Sequence, residues 1–173
     1  MQFTLGTDAG LSPLVGGLVG MLRYARATTL LAVRGLSVAE LDHRHDADSN
    51  SIGALLLHIA AVEAWYQTQM FDEREWTDDE QARWKVAVDL GPAAAVIGGQ
   101  PLDFYVDALN EGHERTIREL AQRDDAWLLR VHDMGGRQVN YYWQWFHVCE
   151  DEVNHRGQMR WLRKRLPPAG ALA

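Results

Sequence analysis

The sequence predicts an all-α fold, an up-down bundle of four long helices, and three observations carry that expectation. Apolar residues recur at intervals of three and four over four long stretches, the period of a helix with one buried face. Capping residues open several of these stretches, Gly35 stops the first, and Pro167 and Pro168 follow the last. The connections are a long irregular one between the second and third helices and a short hairpin-like one before the fourth.

The first helix is expected over residues 11–33, with Leu11, Leu14, Val15, Leu18, Val19, Leu22, Ala25, Leu30 and Val33 as its apolar positions. Pro13 suits its first turn, where no backbone N–H is needed, and Gly35 serves as its stop. Ser37 and Glu40 form a capping box that starts one short helical turn. The polar run at 42–51 reads as loop, and its His43 and His45, two residues apart beside acidic neighbours, read as solvated.

Ser49, Asn50 and Ser51 offer N-caps for the second long helix, whose stripe is Ile52, Leu55, Leu56, Ile59, Val62, Tyr66 and Met70. His58 falls on or beside that stripe, where a histidine is either satisfied within the core or a ligand. Residues 72–100 are irregular, with a short helix at about 78–88. The pair Gly98-Gly99 is no phosphate loop, because no G-x-x-x-x-G-K pattern accompanies it.

The third long helix is expected over 101–123, carried by Leu102, Tyr105, Val106, Leu109, Ile117 and Leu120. His113 lies in line with Leu109 and Ile117, as a structural histidine or as a group behind a ligand or in a pocket. Asp124 and Asp125 are read as closing this helix. A hairpin-like connection then turns at Gly135-Gly136. The fourth helix is expected from 139 or 140 to about 166. Its opening Y-Y-W-Q-W-F is aromatic on nearly every side, which asks for a subunit contact or a cavity wall.

The fourth helix also carries His147, Asp151 and His155 at successive intervals of four. Neighbours at that spacing point the same way, but the outer two stand about 12 Å apart along the axis, so one adjacent pair shares an ion. The stripe Val148, Asp151, His155, Met159, Leu162, Leu166 favours Asp151 with His155. An aspartate on a buried stripe needs a partner or a metal. The plainer reading, that His155 hydrogen-bonds Asp151 and nothing binds, stays open on spacing alone.

With 173 residues, 47% hydrophobic and 24% charged, the chain suits a single soluble domain, residues 1–173. No apolar run approaches the ~20 residues of a membrane span, and the first ten residues do not resemble a signal peptide. The single cysteine, Cys149, excludes an internal disulfide, and with the missing leader it points to the cytoplasm. A net charge of -7 argues against nucleic acid as a partner. The basic run R-W-L-R-K-R at 160–165 is read as a helix end whose cations complement the dipole.

Four long helices, N-S-I-G-A-L-L-L-H-I-A-A-V-E at 50–63 and D-x-x-x-H-R-G-Q at 151–158 together resemble the DinB/YfiT-like superfamily of metal-binding four-helix bundles. The resemblance covers almost the whole chain. It implies an ion held by one histidine of helix two and an i, i+4 pair of helix four, hence His58, Asp151 and His155. Many members have histidine where this chain has Asp151. A carboxylate there is similar to the arrangement in mycothiol-dependent maleylpyruvate isomerases, which use the longer glutamate.

His147, Glu150, His113 and Gln158 are then candidates to stand behind the ligands or line a pocket. The resemblance further implies a divalent ion (Zn, Ni, Mn or Fe), a small thiol such as bacillithiol or mycothiol, an electrophilic substrate and a homodimer. The expected function is metal-dependent transfer of that thiol. A non-catalytic stress or interaction protein with a structural or vestigial ion is the alternative. Cys149 sits on a different helix face from Asp151 and is not read as the nucleophile.

Overall fold

Helix α1 spans Pro13–Val33, and its N-terminus is closed from far along the chain. Ser12 gives no side-chain cap to α1; instead Asp125 accepts hydrogen bonds from the Ser12 hydroxyl at 2.6 Å and the Leu14 and Val15 amides at 2.9 and 3.1 Å. The Ser12 hydroxyl, with those two amides, holds the Asp125 carboxyl below the usual carboxylate range. The computed structural model describes residues 4–6 and 8–168. Expectations for the first ten residues and for the ends of the 1–173 span fall partly outside that description.

Gly35, at φ +77°, ends α1 as expected. The Ser37–Glu40 capping box opens α2 (Val38–Asp42), and the run after it is loop. Ser51 accepts from the Ala54 amide at the head of α3 (Ile52–Met70). The long connection then holds α4 (Asp78–Asp89), capped by a Thr77–Glu80 box, and a 3-10 turn at Gly91–Val96 that periodicity did not foretell.

Helix α5 (Leu102–Leu120) stops three residues short of expectation. Asp124 does not close it but caps the next short helix, α6 (Asp125–Leu128), by accepting from the Trp127 amide at 2.9 Å. Strands β1 (Val131–Met134) and β2 (Arg137–Asn140) form the hairpin, turning at Gly135 and Gly136 with φ of +62° and +85°. Asn140 caps α7 (Tyr141–Arg163) through the Trp143 amide.

The four long helices α1, α3, α5 and α7 form the expected all-α bundle, with α7 between α1 and α3, and α5 against α3 and α1. Their directions refine the up-down expectation. Arg26, Thr28 and Ala32 of α1 meet Glu152, Arg156 and Arg163 of α7, so those helices are parallel. Gly53 lies against Tyr105, and Gln67 bonds Thr116, so α3 and α5 are parallel too. The order is up, down, down, up. The segment holding α4 carries the chain back along α3, a distance of about 28 Å for nineteen residues.

Two apolar clusters fill the bundle, one around Leu18, Leu22, Tyr66, Leu120 and Trp145, the other around Leu55, Ile59, Tyr105, Leu109 and Met159. Between them on α1, α3 and α7 stand Arg26, Glu63 and Glu152, all buried. The Arg26 guanidinium donates to both Glu152 oxygens at 3.0 and 3.2 Å, to Glu63 at 2.9 Å and to the Leu109 carbonyl. Thr116 donates to Glu63 at 2.6 Å. This polar layer joins all four long helices.

The aromatic opening of α7 divides. Tyr141 and Trp145 are buried, Trp145 stacking on Phe71, whereas Trp143 and Phe146 remain exposed. Of the basic run, Arg163 bonds the Ala32 and Arg34 carbonyls, so it serves the C-terminus of α1 as well as that of its own helix. Among the described residues, no helix is long and apolar enough to cross a membrane.

Candidate metal centre

Antiparallel packing of α3 on α7 sets His58 opposite Asp151 and His155. His155 Nε2 lies 3.2 Å from Asp151 Oδ1, and His58 Nε2 lies 3.6 Å from Asp151 Oδ2. The two imidazole rings meet edge to face, with centroids 4.7 Å apart. One donor atom from each of the three residues falls within 4.8 Å of the others, and no other group of three His, Cys, Asp or Glu is so gathered among the described residues.

The far side of each imidazole is also engaged. His58 Nδ1 donates to the Ala87 carbonyl at 2.8 Å, supplied by the last turn of α4. His155 Nδ1 faces Gln158 Oε1 at 3.3 Å. These contacts make each Nδ1 the donor to its own neighbour and leave each Nε2 facing the carboxylate, the ring atom that a metal ion would take.

Burial pushes the Asp151 carboxyl up, but contacts with His155 and His58 outweigh it and hold the group well below the usual carboxylate range. Burial likewise opposes charge on His58. The Asp151 carboxylate and the Ala87 carbonyl overcome that, and its pKa is raised. Two nitrogens and one carboxylate oxygen make a donor set that suits Zn, Ni, Mn or Fe and leaves coordination positions free. A cleft of about 310 Å³ opens beside it, lined by Val62, Trp65, Tyr66, Val88 and His147 as well as His58 and Asp151.

The remaining sequence candidates are distributed differently. His147 borders the cleft, stacked on Trp143 and 3.2 Å from Glu150 Oε2, but it is outside the three-residue cluster. Glu150 is exposed and, among the described residues, meets His147. Gln158 stands behind His155. His113 does not join the centre: its Nδ1 is 4.0 Å from Glu63 in the polar layer. Burial, with the nearby Arg26 charge, lowers its pKa to about 4. Among the described residues His43 and His45 belong to no such cluster, and His45 meets Trp161 edge to face.

The buried Arg26, Glu63 and Glu152 were not anticipated. Each interrupts an apolar stripe as Asp151 does, and that shared signal was legible. Cys149 is buried, and burial pushes its thiol up to about 11, so it remains protonated at neutral pH.

Residues 17–168 match the family model described as mycothiol S-transferase. The chain belongs to the mycothiol S-transferase family of DinB-like proteins. No curated protein matches it. A conserved protein of Enterococcus faecalis is similar in structure, with a TM-score of 0.66 and 18% identity over 85% of this chain and 93% of that one. An uncharacterized protein of Clostridium difficile 630 gives 0.69 and 13% identity over 88% and 97%. A Streptococcus pneumoniae protein gives 0.64 and 14% over 87% and 89%. At these identities the likeness shows the fold.

Proposed function

We propose that this protein is a metal-dependent transferase that joins a low-molecular-weight thiol, mycothiol or its functional counterpart bacillithiol, to an electrophile. The observation that carries the reading is the convergence of His58 Nε2, His155 Nε2 and the Asp151 carboxylate at the edge of an open cleft. A divalent ion held by these three residues would supply the Lewis acidity that favours a thiolate at neutral pH.

The protein's own part is positioning. Ala87 and Gln158 fix the two imidazoles, and α3 and α7 hold them across the cleft mouth. Val62, Trp65 and Val88 give the cleft an apolar wall against which an electrophile would pack. The nucleophilic sulfur comes from outside the chain, because the one cysteine is buried and protonated.

Family membership supports a small thiol as co-substrate. An open cleft beside three ligands favours catalysis over a structural ion. Trp143, Phe146 and Val153 are exposed on α7 and suit the homodimer proposed for this chain, and a cytoplasmic location suits its thiol chemistry. The test is turnover of mycothiol with a panel of electrophiles by zinc-, nickel- and manganese-loaded protein. Absence of both thiol binding and turnover with every metal refutes the reading.

A further inference from the structure

We infer that the site is two-ended: the carrier of the thiol lies on one side of the triad, and a neutral apolar electrophile on the other. The inference rests on the thiol-transfer reading above. Helix α7 presents His147, Asp151, His155, Gln158 and Leu162 within one face, at steps of four, four, three and four. The triad stands in the middle of that face, flanked by an apolar recess on one side and on the other by a recess that mixes polar groups with an indole and a leucine.

Toward the start of α7 the lining is apolar. Val62, Trp65, Tyr66 and Val88 form its apolar walls, His147 and the ligands His58 and Asp151 complete the lining, and no lysine or arginine borders it among the described residues. The Tyr66 ring stands edge-on to His147, with centroids 6.2 Å apart, and closes one side of the recess. A neutral, flat or branched apolar group fits these walls. A charged one loses its water against these walls.

Toward the end of α7 a second recess of about 420 Å³ is lined by Asp48, Ser49, Asn50, Gln158, Trp161 and Leu162. Here a carboxylate, a hydroxyl and two amides surround one indole. The Oδ1 of Asn50 is engaged by the Gly91 amide and the Oε1 of Gln158 by His155, which leaves the NH₂ group of each amide for a ligand. Trp161 is 43% exposed, with the Arg165 guanidinium over its ring at 3.8 Å and His45 at 4.8 Å in a T-shaped contact.

This combination suits a hydroxyl-rich ring. Each hydroxyl both donates and accepts, matching amides and a carboxylate, while the C–H face of the ring packs on indole. Gln158 links the two chemistries, since it holds His155 and also lines the polar recess. Trp161 lies about 9 Å along the helix axis from His155 and about 15 Å from Asp151, a span that accommodates a two-ring carrier whose sulfur reaches the triad.

The test is steady-state kinetics of the zinc-loaded protein with mycothiol or N-acetylcysteine as thiol and 1-chloro-2,4-dinitrobenzene as electrophile. Trp161→Ala, Trp161→Phe and Trp65→Leu are compared with wild type, with metal content and melting checked for each. Trp161→Ala is expected to raise KM for mycothiol and to reduce the preference for mycothiol over N-acetylcysteine, each about tenfold. Trp161→Phe keeps most of that preference. Trp65→Leu raises KM for the electrophile and leaves the thiol preference within about twofold.

If wild type turns mycothiol over and Trp161→Ala keeps the full preference, the two-ended assignment is wrong and the transfer reading stands. If Trp65→Leu abolishes the preference instead, the ends are reversed and the assignment is again wrong. If no metal-loaded protein binds or turns over either thiol, both readings fall together.

Discussion

His155 presents Nε2 to Asp151 Oδ1 at 3.2 Å across one turn of α7, while its Nδ1 faces Gln158 one turn further on. The histidine is thus held from both sides by its own helix. A ligand so oriented loses little rotamer freedom on binding an ion, and its partner amide also sets its tautomer. Gln158→Ala is therefore expected to leave the fold intact and to weaken zinc affinity about tenfold or more. Competition with a chromophoric chelator reads this directly; unchanged affinity would mean that Gln158 has no part in orienting His155.

Arg26 pairs with two buried carboxylates at once. Arg26→Met leaves Glu63 and Glu152 without their counter-ion and is expected to cost about 3–5 kcal/mol in urea unfolding. The triple variant Arg26→Met/Glu63→Gln/Glu152→Gln, with no buried charge left unpaired, recovers much of that loss. A triple variant as unstable as the single one contradicts the electrostatic account of this layer.

His113 gives the pH dependence a definite sign. Its pKa is lowered from 6.5 to about 4, so above 6.5 it is neutral in both folded and unfolded chains. Between 6.5 and 4 the unfolded chain takes up a proton that the folded one refuses, and stability falls as pH falls through this window. The loss amounts to about 3 kcal/mol from this group alone. His113→Asn is expected to flatten the curve of unfolding free energy between those limits. An identical slope in the variant assigns the pH dependence to other groups.

A Cβ at Gly53 would stand 2.8 Å from the Tyr105 hydroxyl and 2.9 Å from Cζ of the same fully buried ring. Gly53→Ala gains about 1 kcal/mol of helix propensity but forces that contact to shift, at a cost of about 1–3 kcal/mol. The expected net effect is a lower melting temperature, which Tyr105→Phe in the same background partly restores by removing the hydroxyl. A stabilised Gly53→Ala variant would show that Tyr105 yields freely.

The long helices were legible because each stripe, capping box and stop glycine acts within a few residues. Ser37 with Glu40, Gly35, Ser51 and the Gly135-Gly136 turn all perform the roles that their local chemistry suggests. What escaped depends on distant partners. Asp125 caps α1 from more than a hundred residues away, so its sequence neighbours gave only the sense of a helix ending. Nothing local fixes the direction of α5 relative to α3.

The pairing of Asp151 with His155 was visible as polar residues on an apolar stripe. The same logic, applied to Arg26, Glu63 and Glu152, would have found the buried layer. His113 shows the limit of that logic. A histidine in register with Leu109 and Ile117 does face inward, but which polar group it meets depends on how α5 packs against its neighbours.

The most direct test of the metal centre is metal content by plasma mass spectrometry, on protein purified without a histidine tag and after loading with zinc, nickel or manganese. Wild type is compared with Asp151→Asn and His155→Ala. The geometry predicts about one ion per chain in the wild type and loss of that ion in both variants, with the helical fold retained in all three. An empty wild type, or variants that keep the ion, would contradict His58, Asp151 and His155 as its ligands.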